Sequence, residues 1–151
     1  MPDMAQVERP TSLASRLLHL SWQQWADLFR AALALGKARL QLPHIKAADL
    51  QQRNSAQDQI KHAAGPAPHV ADWIARVTWA IPRAAKFVPW RSDCLVQAQA
   101  GHNWLSRQNI YSTLELGARK LPNGKMDAHA WLMCEGEIVT GGDISTFVPF
   151  R

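Results

Sequence analysis

Residues 92–120 read SDCLVQAQAGHNWLSRQNIYSTLELGARK, and the hydrophobic period changes halfway along. Leu95, Ala98, His102 and Leu105 recur every three or four residues, the spacing of one face of a helix. Ser92 or Asp93 stands where an N-cap belongs. Asn109 follows the stripe, and asparagine tolerates the left-handed geometry of a helix end. From there the pattern alternates. Ser112, Leu114, Leu116 and Ala118 share one face, so 110–120 reads as a strand. A helix that opens at a cysteine feeds directly into a strand.

Downstream, LPNGK carries an Asn-Gly turn signal, and DAHAWLMCE is a second strand. Gly136 belongs in a tight turn, EIVTG is a third strand, and ISTF after Asp143 is a short turn. Upstream, Val70, Trp73, Ile74, Val77 and Ile81 give helical spacing, with Pro82 expected to kink or end the helix. Gly65-Pro66-Ala67-Pro68 marks a break. The polar stretch before it holds a short exposed helix over 47–62. A helix over 22–42 starts at an N-cap, Ser21, and stops at Pro43. Another begins near Leu13 after Pro10-Thr11-Ser12. The expected organisation is a flexible tail over 1–12, a helical region over 13–69 and a core over 70–151. Helices first and a small antiparallel sheet last define an α+β fold.

The chain has 151 residues, 47% hydrophobic and 19% charged, enough for one domain with a real core. The net charge of +5 and a pI near 9.7 favour acidic partners. Lysines and arginines are scattered, without the basic and aromatic alternation of a nucleic-acid surface, so none is expected as a partner. The most apolar window, 26–42, is broken by Asp27, Arg30, Lys37 and Arg39 and does not read as a membrane span. The first dozen residues lack an apolar run, so a cytoplasmic protein is expected, with Cys94 and Cys134 reduced. Six histidines and two cysteines show no paired ligand spacing, so neither metal nor cofactor is expected.

Three residues carry the chemistry. Cys94 lies at a helix start, where the positive end of the dipole favours thiolate and exposed N–H groups can hold an oxyanion. A buried structural cysteine is the plainer alternative for that position. His129, in the second strand, shares a face with Asp127, Trp131, Met133 and Glu135, while Ala128, Ala130, Leu132 and Cys134 face the core. The histidine face is mixed, as where a sheet meets a helix on one part and solvent on another, and a strand histidine satisfied by a neighbour is the plainer alternative for that position. Asp143 ends the third strand, which returns antiparallel to the histidine, and can orient the imidazole. Asp127 is its rival, and an N-cap for the turn ISTF is the plainer alternative for Asp143. Trp90, Trp104 and Trp131 either line a peptide groove or fill the core, and at least two of them read as core.

Cysteine at a helix start, histidine in one strand and aspartate at the end of the next is the chain order of papain-like and transglutaminase-like cysteine enzymes. CLVQAQAGHNWLSRQNIYSTLELGARK (94–120), AHAWLMCEGEIVTGG (128–142) and DISTFVPF (143–150), with the helical lead-in before the cysteine, resemble the lasso peptide leader peptidases. These are the transglutaminase-like B proteins of lasso peptide biosynthesis. The resemblance covers about residues 70–151, and the helices over 13–42 fit in general character. It implies a transglutaminase-like core whose catalytic helix packs on a small antiparallel sheet. It implies a cysteine peptidase that removes the leader from a ribosomally made precursor, with Cys94 as nucleophile, His129 as general base and Asp143 as the aspartate. It also implies two partners besides the precursor leader: a precursor-recognition protein and an ATP-dependent lasso cyclase. No winged-helix recognition domain is evident upstream, so that module is expected on a separate chain. The sequence departs from the resemblance at Gln108-Asn109 after the catalytic helix. No glutamine precedes Cys94 to complete a papain-style oxyanion hole, which leaves that task to backbone N–H groups. The alternatives are a transglutaminase-like acyltransferase and a non-catalytic scaffold that delivers precursor to a macrocyclase.

Overall fold

The computed structural model describes residues 19–44 and 69–150. The expected tail, the helix from Leu13, the helix over 47–62 and the break at 65–68 lie outside the described residues. Helix α1 spans Trp22–Gln41 and ends in a single 3-10 turn, Leu42–His44, that contains Pro43. Ser21 caps it reciprocally: its hydroxyl accepts from Gln24 N–H, and the Gln24 side chain accepts from Ser21 N–H. Helix α2 spans Val70–Ala84 and helix α3 Cys94–Ser106.

Pro82 does not end α2. It removes one N–H donor near the last turn. Ile81 and Ala84 on either side are buried, and Ala85 N–H still reaches the Ile81 carbonyl at 3.0 Å. Core burial outweighs the one lost bond.

The three helices share one core. Ala31, Leu35 and Ala38 of α1 pack with Val77 and Ile81 of α2 and Val96 and Leu105 of α3. Each fully buried leucine or isoleucine contributes about 1.5–3 kcal/mol. Between α1 and α2, Arg76 grips the buried Asp27 with two hydrogen bonds, 2.9 and 2.6 Å. The hydrogen bond to Asp27 raises the Arg76 guanidinium above its already high range.

Strands β1 (Thr113–Lys120), β2 (Met126–Cys134), β3 (Glu137–Thr140) and β4 (Val148–Pro149) form an antiparallel sheet in the order β3-β2-β1-β4. The register places Leu114 opposite Leu132 and Gly117 opposite His129. Glu135 and Gly136 join β2 to β3, both with positive φ, as a two-residue hairpin requires. β1 begins at Thr113, three residues later than the pattern suggested. β4 was not foreseen, because two residues carry no periodicity. Pro149 fits there because an edge strand can spare an N–H.

The helices cover one face of the sheet, carrying Leu114, Ala130, Leu132, Cys134 and Val139. Gly101 of α3 lies so close to Leu132 that a methyl group there would meet Leu132 Cδ2 at 2.8 Å. That close approach seats α3 along β2.

Candidate functional site

The loop 85–93 delivers the chain to Cys94, the first residue of α3. Asp93 caps the helix by accepting from Val96 N–H at 3.2 Å, which selects it over Ser92 as the N-cap. Gln97 Nε2 donates to the Ser92 carbonyl at 2.9 Å and pins the approach. Arg91 lies 3.7 Å from the Asp93 carboxylate. Cys94 is a free thiol, half-buried, and packs against the core on the helix side. The N–H groups of Cys94 and Leu95 have no acceptor within the helix, so they are the donors an oxyanion would meet. Cys134 contrasts with it: that thiol is buried and donates to the Tyr111 carbonyl at 3.0 Å.

His129 lies half-buried on β2. Its Nε2 is 2.7 Å from the Gly141 carbonyl oxygen. A carbonyl only accepts, so the proton sits on Nε2, and in the neutral ring the lone pair belongs to Nδ1. Gly141 has φ of 114°, and a side chain there would collide with Trp131. Glycine is therefore required where β3 turns back over the imidazole. The Phe147 ring is centred 4.8 Å from the imidazole, and Arg119 lies over Phe147 at 4.5 Å. Arg119 also binds Asp127 through Nε at 2.9 Å and Thr146 through Nη1 at 3.1 Å.

The expectation for the histidine face needs a correction. Alternation along β2 sends Ala130 and Leu132 into the helical core and His129 with Trp131 to the other side. Among the described residues, what covers His129 there is no helix but the segment 141–148, through Gly141 and Phe147. Two of the three tryptophans near the site are core: Trp131 and Trp104 are buried, and Trp90 is partly exposed.

Asp143 is fully exposed and accepts from Ser145 N–H at 2.9 Å, which holds its carboxyl below the usual carboxylate range. Asp127 is engaged by Arg119. Neither carboxylate hydrogen-bonds His129, and no hydrogen bond joins His129 to Cys94. The structure thus brings His129 to the Gly141 carbonyl, two residues before Asp143, and sets Cys94 on the helix side of the same sheet. Sequence reading missed the Gly141 carbonyl, Phe147 and Arg119. The Gly141-Gly142 pair was their available signal, since paired glycines mark backbone that needs positive φ.

Among the described residues, no group of histidine, cysteine and acidic side chains is arranged to hold a metal ion. No described helix is long and apolar enough to cross a membrane. A family model described as the transglutaminase-like superfamily matches residues 17–151, and α1 lies within the match. No curated protein and no solved structure matches the chain.

Proposed function

We propose, because this chain belongs to the transglutaminase-like superfamily, that it is a cysteine peptidase that cuts the leader from a lasso peptide precursor. The superfamily includes cysteine peptidases and acyltransferases, and its domains are often cysteine-dependent enzymes. The observation that carries the reading is Cys94, a half-exposed thiol opening a capped helix that lies along the histidine strand.

Level along the sheet supports the pairing with His129, with the sheet itself between the two side chains. The end of α3 connects within seven residues to the start of β1, and Thr113 pairs with Met133 near the end of β2. Running back, Gly101 meets Leu132. Seven further residues of helix cover about 10.5 Å, and three residues of strand from Leu132 to His129 cover about 10 Å. Thiol and imidazole therefore fall at the same level along β2 but on opposite faces of the sheet, so the reading requires the imidazole to leave the Gly141 carbonyl and turn past the edge of β2 that β3 leaves unpaired before Leu132. Catalytic contacts of this type commonly tighten only around bound substrate.

In this reading His129 Nδ1 takes the Cys94 proton as sulfur attacks the carbonyl carbon of the last leader peptide bond. The N–H groups at the start of α3 hold the oxyanion. Collapse breaks the C–N bond, and the imidazolium returns its proton to the leaving amine. Water then adds to the thioester and releases the leader carboxylate and the thiol. Asp143 is the proposed orienting residue. Asp143 follows the Gly141-Gly142 turn that covers the imidazole, and the orienting role requires its side chain to turn away from Ser145. A separate recognition protein presenting the leader and an ATP-dependent cyclase taking the released core are the proposed partners.

The test is mass spectrometry of a lasso precursor incubated with the protein and a recognition partner. Wild type should yield a leader with a free carboxylate, and Cys94→Ala and His129→Ala should yield none while remaining folded. Full cleavage by Cys94→Ala sinks the reading. A leader joined to an added amine instead of a free acid would make the protein an acyltransferase. A Cys94 inert to iodoacetamide, with no cleavage by the wild type, would make it a scaffold.

A further inference from the structure

Helix α1 is apolar on two opposite sides. Ala31, Leu35 and Ala38 face the core. Trp22, Trp25, Phe29, Leu33 and Leu40 are between 47% and 88% exposed. At 100° per residue these five fall within a stripe about 80° wide, directly opposite the buried face. A helix apolar on two sides fits two partners, and the core supplies one.

Beside the stripe lies a cavity of about 580 Å³, whose walls include Leu33, Trp73, Trp104, Arg30, Lys37 and Arg107. No acidic residue lines it. Arg30 has only Asp27, at 3.7 Å, and Arg76 already holds that carboxylate with two hydrogen bonds. Lys37 and Arg107 have no acidic partner among the described residues. Three cations around a cavity that no acidic residue lines, bordering an exposed apolar stripe, form a surface of defined chemistry. Trp90 lies over Gly36, within the same stripe, and stands four residues before Cys94.

We propose that this stripe and its cationic cavity dock an acidic, amphipathic segment of another polypeptide. Apolar side chains of that segment lie on Leu33, Phe29 and Trp25, and its carboxylates meet Lys37, Arg107 and Arg30. Charge selects this occupant. A second copy of the chain brings the same cations to a two-fold contact, where they repel. The proposal concerns binding and does not depend on the chemistry assigned to Cys94.

The test uses the full chain and a fluorescein-labelled synthetic peptide with leucine and glutamate at helical i, i+3 and i+4 spacing. Fluorescence anisotropy should report binding that weakens with added salt. Lys37→Glu combined with Arg107→Glu should weaken it by at least about tenfold, and Leu33→Asp should weaken it comparably. These positions are exposed or line an open cavity, and circular dichroism checks that the variants fold. No binding, equal binding of a peptide with lysine in place of glutamate, or indifference to the double reversal overturns the proposal. Self-association abolished by Leu33→Asp assigns the stripe to a second copy and overturns it. Phosphatidylserine vesicles that bind where the acidic peptide does not assign it to a membrane surface and overturn it equally. The Cys94→Ala protein should bind as wild type does, so a failure here and a failure of the peptidase reading are separable.

Discussion

The two faces of the sheet are held by different physics. On the helix face, Leu114, Ala130, Leu132 and Cys134 pack into the helical core with almost no accessible surface. On the other face, His129 is held by one main-chain carbonyl, one phenylalanine ring and an arginine that ties Phe147 to Asp127. The first face depends on volume and is indifferent to small changes in hydrogen bonding. The second depends on a few directional contacts made by the half-exposed 141–150 segment. A substitution on the first face should be read as stability, and one on the second as the orientation of a single ring.

Leu132→Ala breaks the comparison most severely from the helix side. It opens a cavity between β2 and Gly101 and should cost about 2–5 kcal/mol in chemical denaturation. Activity should fall only in proportion to the folded fraction. An undiminished midpoint would mean that α3 does not rest on β2 as described.

Gly141→Ala is next and acts on the other face. The added methyl meets Trp131, and a non-glycine residue at φ 114° is strained by roughly 1–3 kcal/mol. The carbonyl must shift, so the His129 Nε2 hydrogen bond should weaken. Imidazole nitrogen shifts from NMR should show wild-type His129 as the Nε2–H tautomer and the variant as a mixture. A wild-type ring protonated on Nδ1 would contradict the 2.7 Å bond.

Arg119→Ala should be gentler. The pair with Asp127 is more than a third exposed on both sides, so screening leaves it less than about 1 kcal/mol of stability. Removing it frees Phe147 and Thr146. The expected signature is a small change in melting temperature with a clear change in the NMR shifts of His129.

The contrast also explains what the sequence made legible. The helix face followed from period: Leu95, Ala98 and Leu105 on α3, and Ala130, Leu132 and Cys134 on β2, announce their partners by spacing. The parity that put His129 opposite them was equally readable. What covers that ring was not. Phe147 follows a turn, β4 has two residues, and the acceptor for Nε2 is a backbone oxygen, which no residue type advertises. Pro82 misled for a related reason, since its own cost is local and the burial of Ile81 and Ala84 that outweighs it is tertiary. Of the two carboxylates near the histidine, strand order favoured Asp143 and left Asp127 as its rival. They differ because Arg119, opposite Asp127 on β1, claims that side chain and leaves Asp143 exposed.

Asp143 carries the smallest expected effect and the most discriminating one. Its carboxylate is exposed and held below the ordinary range by Ser145 N–H. A folded value below the unfolded one, about 3.9, means that the bond stabilises the turn above that pH. The stabilisation is lost only as pH falls through the lower folded value. Between pH 5 and 8 the turn should not change, so any pH dependence of cleavage in that range comes from elsewhere. Asp143→Ala should leave the melting temperature almost unaltered at neutral pH. If the carboxylate orients His129 during turnover, kcat should fall, though less than in His129→Ala, and Asp143→Asn should not restore it, because an amide cannot offset the charge of an imidazolium. If the Gly141 carbonyl suffices, both variants should cleave as wild type does, and the orienting role passes from a side chain to the backbone.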